Sequence, residues 1–391
     1  MFTSVSARPT TADANKELSQ DLNKNGMLKK IVIVSSVIFA CIAIIAGVYF
    51  LFFQKREAAP GPTPTPLILD IPSLQDRDII FVSQNPYLGA TLNNEGKKIR
   101  YFDQSSRSFM ESEFSGLNPV RLSAADFKDA RNFIWSPDKS KVLTTDQEKY
   151  QLIDLNSGQT SFYDPHYRSV VFSPNSDKIA FNFLEPGSNK IETAELSGQN
   201  WKEISRVKIQ DLKIAWPQNG KLALSSFASA KANSGLFLLD IAGGDIIKII
   251  PEVYGLETLW SPKGDKVLYS FVDKKGLGPI LEAVNFNGVP LKELFIATFA
   301  SKCAWSLDNR TIYCGVPNYL SLKMTFPDDY YRGYTDTNDQ VVKINLDTGE
   351  QTTVFAAETN PPDVENLLVD PREEHLFFTN KKDGLFYAVK L

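Results

Sequence analysis

Runs of apolar and β-branched residues, broken every few positions by Gly, Pro, Asn or Asp, fill the chain from Asp78 to Leu391, with no stretch of helical period. The segment FIWSPDKSKVLTT, Phe133 to Thr145, reads as strand, sharp turn, strand. The pattern returns as VVFSPNSDKIAFN from Val170, IAWPQNGKLALSS from Ile214, TLWSPKGDKVLYS from Thr258 and CAWSLDNRTIYCG from Cys303. Weaker copies start at Gly89 and Asn366. The aligned bulky position runs Leu92, Trp135, Phe172, Trp216, Trp260, Trp305, Val369, at intervals of 43, 37, 44, 44, 45 and 64 residues.

A strand–turn–strand unit repeating every 40 to 45 residues predicts the blades of a β-propeller. The large residue before the turn offers a flat surface to the next blade. Pro137, Pro174 and Pro262 pre-set the turn, Asp138, Asn175 and Asn219 tolerate its geometry, and Gly96, Gly220 and Gly264 supply positive φ. Third and fourth strands follow, as in QLIDLNSGQTSFY and VVKINLDTGEQTTVF, with hairpin signals at their turns. Seven copies predict an all-β, seven-bladed propeller, with six blades the alternative. The last repeat lacks a fourth strand, and DIIFVS, Asp78 to Ser83, precedes the first repeat without a partner. Pairing the two would close the ring and cover the open edges.

The apolar pattern changes abruptly upstream. Ile31 to Phe53 gives 23 uncharged residues between Lys29-Lys30 and Lys55-Arg56. At about 1.5 Å per residue this spans a ~30 Å hydrocarbon core, which predicts a single transmembrane helix over 29–54. A cleaved signal peptide would have a shorter apolar core, and the apolar run continues past Cys41, which argues against lipid attachment there. Residues 1–28 are polar, without periodicity, and read as a disordered cytoplasmic tail. Arg8, Lys16, Lys24, Lys29 and Lys30 precede the span and only Lys55 and Arg56 closely follow it. That bias places the N-terminus in the cytoplasm and residues 78–391 outside. Residues 55–77 form a Pro/Thr-rich linker, with Glu57 to Pro66 reading EAAPGPTPTP, an extended spacer.

Segments such as WSPDK, FSPNS and WSPKG resemble the WD-like repeat of TolB-type β-propellers. WPQNG, one residue short, WSLDN, without the proline, and LVDPR, without the aromatic, depart from the pattern. The resemblance implies the fold. It implies little about activity, since such propellers include protein-binding envelope components and the gating domains of serine peptidases.

Composition narrows function by exclusion. A net charge of -4 argues against nucleic acid as a partner. There is no G-x-S-x-G elbow for a hydrolase. Three cysteines and two histidines leave little for thiol or metal chemistry, and His166 and His375 lie in separate repeats. Asp336 to Gln340, with Asp328 and Asp329 nearby, lacks the glycine and distant Glu of a calcium loop. No catalytic, cofactor or metal residue stands out. The expectation is a single-pass protein of the cell membrane whose propeller binds a protein, peptide or glycan in the cell envelope. An envelope glycan-acting enzyme using the propeller funnel is the alternative.

Two local features carry specific expectations. Cys303 and Cys314 face each other if their hairpin turns between Asp308 and Asn309, which leaves either a disulfide or two buried thiols. The long interval after Trp305 holds an insert, VPNYLSLKMTFPDDYYRGYTDTND, rich in Tyr and containing Arg332. Long aromatic loops inside compact repeats are often functional. Tyr319, Phe326, Tyr330, Tyr331, Arg332 and Tyr334 are its candidate contacts, unless its aromatics merely pack onto the adjacent blade. As a second-to-third strand connection, it should lie on the face opposite the W-S-P turns.

Overall fold

The computed structural model describes residues 79–391, apart from 84, 124–126, 128–129, 147–148 and 210. The tail, the candidate transmembrane helix at 29–54 and the linker lie outside the described residues. Among those described, no helix is long and apolar enough to cross a membrane.

The described chain is an all-β propeller of antiparallel sheets. The expected seam forms: Ile79–Ser83 pairs with Leu385–Lys390, which continues through His375–Asn380 to Val364–Val369. Sequence repeats predict seven blades; the sheets number six. The degenerate first copy forms a sheet of its own, Tyr87–Leu92 to Val120–Arg121. The count falls because the repeats at Ile214 and Thr258 share one six-stranded sheet. Strand Ile246–Trp260 is fifteen residues long and serves both. Its first part pairs with Asn233–Asp240, as in Leu238↔Ile247, and its last part with Lys266–Val272, as in Thr258↔Tyr269. After Ile280–Asn285 the same sheet has only an isolated bridge, Val284↔Pro290, in place of a regular outer strand.

The turn after the bulky position has one conformation throughout. Gly96, Lys139, Ser176, Gly220, Gly264, Asn309 and Glu373, four residues beyond each aligned position, all have positive φ. WPQNG is therefore not short; Gly220 occupies the common turn position. At Gly264 the constraint is absolute, since a Cβ would sit 2.0 Å from the Pro217 carbonyl oxygen of the preceding repeat. Adjacent repeats are joined at this face and along the inner strands. Trp135 Nε1 donates to the Gly89 carbonyl at 2.6 Å and Trp305 Nε1 to that of Leu259 at 3.2 Å. The indole of Trp305 packs with Leu268, Leu281 and Ile312, so the core lies between blades as well as within them.

Candidate ligand-binding face

The insert leaves the hairpin of Thr311–Pro317 and Asp339–Asn345, whose last rungs are Pro317↔Asp339 and the Asn318 N–H bonded to the Asn338 carbonyl at 2.8 Å. It is ordered by three anchors. Phe326 is buried against Phe299 and Tyr330, and its N–H donates to the Gly276 carbonyl at 2.8 Å. Gly276 permits that approach, because a Cβ there would lie 2.6 Å from Thr325 Cγ2. A short helix, Asp328–Tyr331, follows. Asp328 accepts from Ser229 Oγ at 2.9 Å and from the Ala230 N–H at 2.7 Å, on a loop of another repeat.

The third anchor is Tyr330, whose hydroxyl donates to Asp363 Oδ1 at 2.7 Å and Glu365 Oε1 at 3.0 Å. Two ammonium groups approach its ring, Lys381 Nζ at 3.3 Å and Lys302 Nζ at 4.7 Å from the centroid. Lys302 is 1% exposed. Burial of a charge requires full compensation. The three N–H groups of its Nζ are shared among four acceptors, Asp363 Oδ1 at 2.6 Å, Asp339 Oδ2 at 2.8 Å, Thr337 Oγ1 at 2.8 Å and the Val364 carbonyl at 3.1 Å. Asp363 Oδ2 also accepts the Thr337 N–H, and Asp339 Oδ2 the Val364 N–H. Asp339 Oδ1 is buried with no partner.

The electrostatics follow from this geometry. Burial pushes the Tyr330 hydroxyl far above its ordinary value, and the charges of Glu365 and Asp363 push it further. Burial outweighs Lys302 at Asp339, whose carboxyl is raised. At Asp363 burial is overcome by Lys302 and by hydrogen bonds from Tyr330 and the Thr337 backbone, and the carboxyl is lowered. The shifts thus run in opposite directions on the two carboxylates that share Lys302. Beside the cluster, Tyr331 donates to Glu257 Oε1 at 2.6 Å and lies 3.3 Å from Ser301 Oγ, with its hydroxyl raised by burial and by Glu257.

The candidate contacts therefore divide. Phe326 and Tyr330 point inward, each 1% exposed, because they fasten the insert. Tyr319, Tyr331 and Tyr334 are 72%, 52% and 68% exposed, and Arg332 is exposed. Asp339, from the segment weighed as a calcium loop, is instead buried against Lys302. Lys302, Asp363, Glu365, Lys381 and Glu257 had no signal in the sequence, since their partners lie tens of residues away. Cys303 and Cys314 are register partners with Cα atoms 4.1 Å apart, and their sulfurs are bonded.

Neither histidine joins the site. His166 is exposed and bonded to Asp164, and His375 lies in the last repeat's W-S-P-like turn. There Asp370, Glu374 and His375 bring ligand atoms within 4.8 Å, but Asp370 Oδ1 is occupied by the N–H groups of Glu374 and His375, which shape the turn.

No protein-family model matches the chain. No curated protein matches it either. Solved structures share its fold at low identity. An oligogalacturonate lyase from Vibrio parahaemolyticus matches with a TM-score of 0.59 at 10% identity, over 81% of this chain and 94% of that one. The β-propeller domain of Swd1 from Myceliophteria thermophila gives 0.54 at 11%, over 81% and 99%. TolB from Acinetobacter baumannii gives 0.42 at 14%, over 68% and 62%, too loose to build on. At such identities the likeness is one of fold, a β-propeller.

Proposed function

We propose that this chain is a membrane-anchored binding or scaffold module of the cell envelope. In this reading residues 29–54 cross the membrane once, residues 1–28 stay in the cytoplasm, and the propeller of 78–391 recognises a protein, peptide or glycan outside. The observation that carries the binding role is the insert. It is fastened by Phe326, Asp328 and Tyr330, yet holds Tyr319 and Tyr334 out to solvent, with Tyr331 half exposed and its hydroxyl on Glu257. A loop that only covered a groove would turn its aromatics inward. Rigid, exposed Tyr beside Arg is the composition of binding hot spots. The alternative, a glycan-acting enzyme using the propeller funnel, rests on shape alone. Glu257 and Glu365, beside the insert, accept hydrogen bonds from Tyr331 and Tyr330.

The test is capture of envelope components by the full chain in mild detergent, compared with the triple variant Tyr319→Ala, Arg332→Ala, Tyr334→Ala. This variant leaves every anchor in place. The expected result is loss of the captured ligand with an unchanged unfolding midpoint. Equal capture by both would reject the insert as the contact surface. Protease added to intact spheroplasts should cleave the propeller or linker and spare the tail; the reverse would reject the orientation.

A further inference from the structure

Two open cavities of about 450 and 440 Å³ adjoin, the first at the end of the repeat that begins at Val170 and the second against the repeat that begins at Ile214. Ile209 and Asp211 line both, so they form one groove with Asp211 at its middle. Together they match the size of sites that hold a small ligand or a few residues of peptide. The second cavity is also lined by Ser229, whose hydroxyl bonds to Asp328, so the groove adjoins the insert.

The groove's chemistry is ordered along its length. At one end are Leu184, 45% exposed, and Lys208. At the other are Phe227, 61% exposed, and Phe237. The carboxylates at the two ends are already neutralised, Glu185 by Lys190 and Arg206, and Glu252 by Lys248. Asp211 and Lys208 have no ion-pair partner among the described residues. Asp211 also holds a left-handed backbone, φ 48°, with its carbonyl accepting from the Phe227 N–H at 3.1 Å. Asn132, Ser169 and Asn366 hold the same conformation in the first strands of other repeats, so this backbone belongs to the repeat and fixes where the Asp211 carboxylate is presented.

We propose that this groove seats an extended peptide, with a Lys or Arg on Asp211, an apolar side chain against Phe227, and an acidic side chain on Lys208. Alternate residues of an extended chain face the same side, so the three would be spaced two apart. A peptide carrying both charges matches Asp211 and Lys208 together, whereas a neutral saccharide would leave both charges without a counter-ion. The proposal rests on the reading of the propeller as a binding module and names its ligand.

The experiment is titration of the full chain in detergent with acetyl-Asp-Ser-Arg-Ser-Leu-amide and with the reversed sequence. Control peptides carry Glu in place of Arg, or Ser in place of Leu. Asn tolerates positive φ, so Asp211→Asn removes the charge without straining the backbone. Saturable binding of one order is expected, weakened at least about tenfold by Asp211→Asn and about fivefold by Phe227→Ala. The insert variant Tyr319→Ala, Arg332→Ala, Tyr334→Ala should bind the peptide as before. The inference falls if neither order saturates below about 1 mM, if the Glu control binds equally, if Asp211→Asn has no effect, or if only saccharides bind. It would fail alone, leaving the proposed function intact, if the insert variant loses its envelope ligand while Asp211→Asn keeps it.

Discussion

The Lys302 ammonium lies 4.7 Å from the ring centroid of Tyr330, joining the foot of an inner strand to the middle of the insert. The contact ties the loop to a fully buried cation of this face. Lys302→Met leaves Asp363 and Asp339 without their cation and should cost about 3–5 kcal/mol, the scale for breaking a buried pair. Tyr330→Phe keeps the ring and loses only its hydroxyl's bonds to Asp363 and Glu365, a loss of about 1.5–3 kcal/mol. Denaturant unfolding of both variants checks the order. A lysine variant no less stable than the tyrosine variant would show that the ammonium is not the clamp.

The two carboxylates on Lys302 should respond oppositely to pH. Asp363 is lowered, so its contribution is complete above the ordinary Asp value of about 3.9 and is lost as pH falls through its folded value. Asp339 is raised, so its contribution is present below about 3.9 and is lost as pH rises through its folded value. Asp363→Asn should therefore be the more destabilising of the two near neutral pH, with its deficit shrinking in acid. Asp339→Asn should flatten the decline that sets in above the ordinary Asp value. Unfolding free energies measured from acid to neutral pH would show this, and equal profiles would refute the assignment.

The bridge between Cys303 and Cys314 closes a short hairpin, with a sequence separation of 11. A loop of that length confers about 2–3 kcal/mol through the unfolded chain. Intact-mass analysis after alkylation without reductant should find no adduct on either residue, and reductant should lower the unfolding midpoint. Two alkylated thiols would reject the bridge.

The hairpin copies were legible because each is local: a bulky residue, a turn and a strand within about a dozen residues. The turn itself is more uniform than its sequence. Lys139, Ser176 and Glu373 hold the positive φ that glycine supplies elsewhere, because bonds around the turn fix it. The merger of two repeats runs through Pro251, a residue type that ordinarily interrupts a strand. In the fold that proline falls between the rungs Leu236↔Ile250 and Ser234↔Val253, at a bulge, where a missing N–H is tolerated. Aromatic content marked the insert as ordered. Which of its rings turn inward depends on Phe299, Asp363 and Lys381, residues no local pattern connects to it.

The seam has a consequence for the order of events during synthesis. Ile79–Ser83 is the first described strand to be made, and its partner, Leu385–Lys390, is the last. Until those final residues emerge, the early strand keeps an unpaired edge, and Phe81, 55% exposed even in the finished ring, has no Tyr387 to lie against. Exposed edges of this kind recruit foreign strands. A nascent chain stalled before Leu385 would therefore be an open ring offering an unpaired edge at each end.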